Sequence, residues 1–115
     1  MTSKQLNKLY EKAKAEYLAF IIHANGTYTC RGCNHEFQTI EIHHIIKRSR
    51  SLYYYADPFN FMELCSGCHH KAEGTIEQQK QLICYELMKS YTELLLNKYY
   101  SLKPYEQLLS FKYGS

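Results

Sequence analysis

Apolar residues recur at three- and four-residue steps at both ends of the chain and lose that rhythm in the middle. Leu6, Leu9, Tyr10, Ala13, Tyr17, Phe20 and Ile21 line one stripe, while Lys4, Lys8, Lys12 and Glu16 lie mostly on another face. The pattern predicts an amphipathic helix over 4–24, with Asn25-Gly26 as its stop. The period returns past Gly74 in Ile76, Leu82, Ile83, Leu87, Met88, Tyr91, Leu94 and Leu95. Thr75 is the expected N-cap there, with Gln78 completing a capping box. Pro104 is expected to interrupt the tail before a last short helix over 105–111. Between these regions, 39–43 alternates and is β-branched, which predicts a short strand. A loop is expected over 49–60, with Asp57-Pro58 as its turn, and a short helix after Cys65.

This order predicts an α+β fold and one domain over 1–115. A core at 27–73 is flanked by the helix at 4–24 and a long helical region at 75–115. The chain has 115 residues with 45% hydrophobic and 22% charged positions, ordinary values for a globular protein. Its formal charge of +3 permits nucleic-acid binding without establishing it. The longest apolar run, Leu18 to Ile22, is too short for a bilayer, so no membrane association is expected. The first residues lack the apolar core of a secretory signal, and a cytoplasmic location is the expectation.

Cys30-Arg31-Gly32-Cys33 and Cys65-Ser66-Gly67-Cys68 form two CxxC pairs with 31 residues between them. Two intervening residues let both sulfurs of a pair face one ion, and the glycine before each second cysteine is expected to relieve crowding. Four thiolates complete a tetrahedral shell, so a structural Zn²⁺ held by Cys30, Cys33, Cys65 and Cys68 is predicted. The spacer is longer than in compact zinc modules, so something is inserted between the knuckles. Cys84 falls on the apolar face of the C-terminal helix and reads as a buried free thiol.

The insert carries Glu41-Ile42-His43-His44-Ile45-Ile46, then Asp57-Pro58-Phe59-Asn60, then Leu64-Cys65-Ser66-Gly67-Cys68-His69-His70. In these elements, their order and their spacing, the chain resembles the HNH endonuclease family in its zinc-knuckle form, similar to small phage-type members. The resemblance covers Cys30 to Lys71, roughly a third of the chain. It implies a ββα-metal (His-Me finger) core and a metal-dependent hydrolase that cuts DNA, expected to be double-stranded. One centre cuts one strand, leaving a 5′-phosphate and a 3′-hydroxyl; a double-strand break needs a homodimer or two nicks by a monomer.

Position by position, the resemblance makes His44 the general base that activates water. It makes His43 and His69 ligands of a catalytic divalent ion and Asn60 the asparagine that orients the base and its loop. His70 can replace His69 by a register shift. Adjacent strand residues point to opposite sides, so His43 and His44 share a site only if the strand ends or twists there. With two protein ligands evident, Mg²⁺ is the expected catalytic ion, with Mn²⁺ or Ni²⁺ as substitutes. Glu41 is either a support for the metal or a solvated strand residue.

The family often carries proline after His-His-Ile-Ile, where this chain has Lys47. That residue opens Lys47-Arg48-Ser49-Arg50, read either as a phosphate contact with Lys71 and Arg31 extending it, or as a solvated loop. Tyr53, Tyr54 and Tyr55 either stack on nucleic acid or pack beneath the loop. The rival reading is a catalytically inactive zinc module that binds nucleic acid. A second rival is an accessory that docks a protein partner such as a phage packaging complex. No separate DNA-reading element is evident, so low sequence specificity is expected.

Overall fold

The structure, a computed structural model, describes residues 2–47 and 52–113. It is a mixed α+β chain whose two small antiparallel sheets lie among helices. Helix α1 spans Ser3–Ile21. Thr2 caps it by accepting from the Gln5 N–H, and the Gln5 side chain accepts from the Thr2 N–H in return. The helix stops at Ile22, ahead of the expected Asn25-Gly26. Those two residues instead make the turn into the sheet, with Gly26 at φ +82° and the Thr27 carbonyl accepting from the His23 N–H.

Strands β1 (Tyr28–Thr29) and β2 (Glu36–Phe37) form a short hairpin around the first cysteine pair. Strand β3 runs Glu41–His44, shifted slightly from the expected 39–43, and pairs with β4 at Phe61–Leu64. The register sets His43 opposite Met62 and His44 opposite Phe61. The expected loop at 49–60 contains helix α2 (Leu52–Ala56) and a single 3-10 turn over Pro58–Asn60. Its turn residues dominated the sequence reading, yet Tyr54 and Tyr55 bury their rings and stabilise a helix that local composition does not announce. Asp57 caps the 3-10 turn, as its Asp-Pro signal implied.

Helix α3 (Ser66–Ala72) follows the second cysteine pair. The Thr75–Gln78 capping box is present, but the helix it starts, α4, is only Ile76–Gln79. The long helix α5 begins afresh and spans Tyr85–Tyr113. The break between them is tertiary in origin. The Ile83 N–H donates to the Gly32 carbonyl at 2.9 Å, and Leu82 enters the core beside the cysteines. Cys84 therefore sits in the turn before α5, buried as expected. Pro104 does not divide the tail, because α5 continues through it, losing one backbone donor without ending.

Two buried clusters result. Cys30, Met62, Leu64, Cys68, Leu82, Cys84 and Met88 form one, around the cysteines, and Ile46, Tyr54, Leu95 and Tyr99 form the other, under α2 and α5. No helix among the described residues is long and apolar enough to cross a membrane.

Candidate metal centre and active site

The four cysteines are brought together, their Sγ atoms within 4.8 Å of one another. Four thiolates around zinc stand about 3.8 Å apart, so only a small contraction closes the shell. Each pair turns so that backbone N–H groups face sulfur. Cys30 Sγ accepts from Gly32 at 3.3 Å and from Cys65 at 3.2 Å, and Cys65 Sγ accepts from Cys68 at 3.4 Å. Burial alone raises the Cys30 thiol pKa, yet the N–H groups of Cys65, Cys33 and Gly32 outweigh it and hold the thiol below its ordinary value. Burial pushes Cys33 and Cys68 up, so a cation is needed to keep these two as thiolates. This donor set can bind a metal such as zinc.

The glycines of the two pairs are not equivalent. A Cβ at Gly32 would meet Cys68 Cβ at 2.8 Å and its Sγ at 2.9 Å, so that position must stay bare. A Cβ at Gly67 would meet nothing within 4 Å, which corrects the expectation of crowding there. Asn34, at φ +62°, supplies the left-handed residue that closes the first turn.

A second donor cluster lies on β3 and α3. His43 and His69 come together, and Glu73 joins them, one ligand atom from each within 4.8 Å of the others. The rings of His43 and His69 stand edge to face at 5.2 Å. His69 lies on α3 and Glu73 closes that helix four residues later, one turn along the same face. Cys65 caps the same helix through its Sγ, so the thiol cluster fixes where His69 points. The alternative His70 is exposed and is not part of the cluster.

Hydrogen bonding within the cluster suits metal binding. Glu41 Oε1 lies 2.8 Å from His69 Nδ1, and Glu73 Oε1 lies 3.0 Å from its Nε2. His43 is 7% exposed, and its Nδ1 is buried without a hydrogen-bond partner, 3.7 Å from Glu73 Oε1. An unpartnered buried imidazole nitrogen facing a carboxylate and a second imidazole is a donor set that could hold a metal ion. Burial, then the neighbouring His69, pushes the His43 pKa down to about 4 against the opposing pull of Glu73. The ring is thus neutral at physiological pH, as a ligand must be. Glu73 was not found from the sequence. The signal available was its i+4 spacing from His69.

His44 is the last residue of β3, where the strand ends, which meets the condition for sharing a site with His43, although the two rings have different neighbours. Its ring sits among Tyr10 (5.3 Å), Tyr55 (5.3 Å) and Phe61 (5.5 Å). Its Nε2 is 2.9 Å from the Tyr55 carbonyl oxygen. A carbonyl only accepts, so Nε2 carries the hydrogen and the lone pair of the neutral ring lies on Nδ1.

Asn60 is 0% exposed and uses its amide fully. Its Oδ1 accepts from the Ile46 N–H at 2.8 Å, and its Nδ2 donates to the carbonyls of Ile46 and Tyr54, each at 2.9 Å. It thereby ties the end of β3 to α2, whose Tyr55 carbonyl holds His44. Tyr54 packs on Tyr99 and Tyr55 on Tyr10, so these rings are structural in the described fold.

Of the basic residues, Lys47 is exposed just past β3 and Lys71 is half-buried on α3; Arg31 is exposed in the first knuckle. Arg48 and Arg50 lie outside the described residues, as does the side chain of Tyr53. A groove of about 590 Å³ runs between Tyr17, Phe59, Phe61 and Leu94 and reaches Arg31 in the first knuckle. Compared with models of known families, with curated proteins and with solved structures, the chain matches none of them.

Proposed function

We propose that this chain is a metal-dependent endonuclease of the HNH type, hydrolysing phosphodiester bonds in DNA on a ββα-metal core. The observation that carries the reading is the meeting of His43, His69 and Glu73 beside a histidine whose ring is already aimed by a backbone carbonyl. In this reading His43, His69 and Glu73 hold the catalytic ion. Glu41 orients His69 by accepting from its Nδ1–H. When bound, such an ion supplies positive charge to a phosphate oxygen and to the departing 3′ oxygen.

His44 acts as the general base. Its Nδ1 lone pair takes a proton from water, whose oxygen attacks phosphorus, and the bond to the 3′ oxygen breaks as that oxygen takes a proton from solvent water. The products carry a 5′-phosphate and a 3′-hydroxyl. Asn60 ties Ile46 to Tyr54, so the Tyr55 carbonyl stays against His44. The four cysteines hold structural zinc, which frames the site. Two imidazoles and one carboxylate suit a borderline ion better than Mg²⁺, so Mn²⁺, Ni²⁺ or Zn²⁺ is the preferred occupant. Lys47, Arg48, Arg50 and Lys71 are the proposed contacts to the DNA backbone.

Calorimetric titration of metal-stripped, zinc-reconstituted protein with Mn²⁺ tests the site. One additional ion bound by the wild type and none by His43→Ala supports it. Equal binding by both proteins removes the basis of the reading.

A further inference from the structure

Helix α1 carries Tyr10 and Tyr17, two turns apart, and both face β4. The Tyr17 hydroxyl donates to Glu63 Oε1 at 2.7 Å, and its ring meets Phe61 edge-on at 5.5 Å. Tyr10 meets the same Phe61 edge-on at 5.9 Å. It also stacks on Tyr55 with centroids 4.4 Å apart and planes 16° from parallel. Tyr55 and Phe61 both lie against the His44 ring, and so does Tyr10 itself. Two aromatic neighbours of His44, Tyr55 and Phe61, are thus themselves in contact with Tyr10. Tyr10 itself is only partly buried and belongs to neither buried core cluster.

We infer that Tyr10 is a positioning residue for His44, and that α1 is thereby part of the catalytic apparatus rather than a brace on its outside. The inference rests on the reading of His44 as base. Tyr10 presses Tyr55 from one side, and Tyr55 holds His44 both by ring stacking and by its carbonyl on Nε2. The ring plane and the direction of the Nδ1 lone pair follow from that contact. A general base must keep its geometry within a few tenths of an ångström, and misplacement by about 1 Å costs on the order of a hundredfold in rate. The hydroxyl plays no part in the stacking, so a phenyl ring serves as well.

The test is plasmid nicking with Mn²⁺ by wild type, Tyr10→Ala, Tyr10→Leu, Tyr10→Phe, His44→Ala and the Tyr10→Ala/His44→Ala double variant. Proton NMR of the His44 ring is recorded beside it on zinc-loaded protein. Tyr10→Leu keeps apolar volume where alanine loosens the fold. The expected result is a kcat lowered roughly tenfold or more in Tyr10→Ala and Tyr10→Leu. KM, Mn²⁺ affinity and zinc content stay unchanged, and Tyr10→Phe remains within about twofold of wild type. His44 ring resonances, displaced by the flanking rings, move toward exposed values in the alanine and leucine variants only. In the His44→Ala background, Tyr10→Ala changes nothing further. Wild-type rates in Tyr10→Ala and Tyr10→Leu with an inactive His44→Ala overturn this inference and leave the base assignment standing. An equal loss in both backgrounds also overturns it, since Tyr10 then acts on the fold at large. Full activity in His44→Ala overturns the base assignment itself.

Discussion

The buried Nδ1 of His43 stands 3.7 Å from a carboxylate oxygen of Glu73, which joins the third residue of β3 to the residue that closes α3. Neither residue explains the other as an ordinary core contact. His43 is buried with an unsatisfied nitrogen, and the Glu73 side chain is 58% exposed. Such a pairing makes sense around a cation, and it makes Glu73 the discriminating residue of the site. Replacing Glu73 with Gln is expected to weaken Mn²⁺ binding about tenfold or more by calorimetry. Because the side chain is mostly in water, stability should change by less than about 0.5 kcal/mol in urea unfolding.

The thiol cluster is expected to behave as a frame. Cys30→Ser removes the sulfur that accepts both the Gly32 and the Cys65 N–H groups, one from each knuckle. Zinc measured by atomic absorption should fall by one ion per chain. Structural zinc contributes on the order of 10 kcal/mol to folding in small domains. The variant should therefore lose cooperative thermal unfolding as well as cleavage. Retained zinc with an unchanged melting temperature would contradict this account of the frame.

Acid should act through His43. Its pKa falls from 6.5 to about 4 on folding, because burial and then His69 disfavour the charged ring. The unfolded chain thus binds this proton first as pH drops. The associated stability is complete above pH 6.5 and is lost as pH falls toward 4. At pH 5 the loss from this one group is about 2 kcal/mol. Urea unfolding at pH 7 and pH 5 should show His43→Gln losing less than wild type by about that amount; identical losses would show that His43 is not the group responsible.

Asn60 is expected to be irreplaceable by its nearest relatives. Asn60→Ala leaves the Ile46 N–H and the carbonyls of Ile46 and Tyr54 without their partner in a fully buried place. A cost of about 3 kcal/mol follows. Asn60→Asp can still accept from Ile46, but it has no N–H for the two carbonyls, so it should not rescue stability. Chemical denaturation of both variants checks this. Stability restored by aspartate would mean that the amide's donors do not matter.

Much of this arrangement was legible in the sequence wherever chemistry and local signals coincide. The cysteine pairs, the helix after the second pair and the Thr75–Gln78 capping box follow from short spacings, while the pairing of His43 with His69 came from the family resemblance. What escaped was fixed by contacts across the chain. Helix α2 forms where Tyr54 meets Tyr99 and Tyr55 meets Tyr10, partners 45 residues apart in each case. The break between α4 and α5 is made by Gly32, half the chain away from Ile83. Glu73 sat one helical turn from His69 in plain view, but an exposed glutamate gives no sign of its role until β3 is folded against it. The family resemblance supplied roles for His44 and Asn60. The geometry adds a physical reason for each, in the carbonyl that fixes the tautomer and the amide that ties the loop.

The central claim is tested most directly by plasmid nicking with metal-stripped, zinc-reconstituted protein, supplied in turn with Mg²⁺, Mn²⁺, Ni²⁺ and extra Zn²⁺, beside His44→Ala. The account predicts metal-dependent nicking by the wild type. It also predicts a loss of at least a hundredfold in His44→Ala, with zinc content and melting temperature preserved. Equal cleavage by the two proteins, or no cleavage by the wild type with any of the four ions, would contradict it.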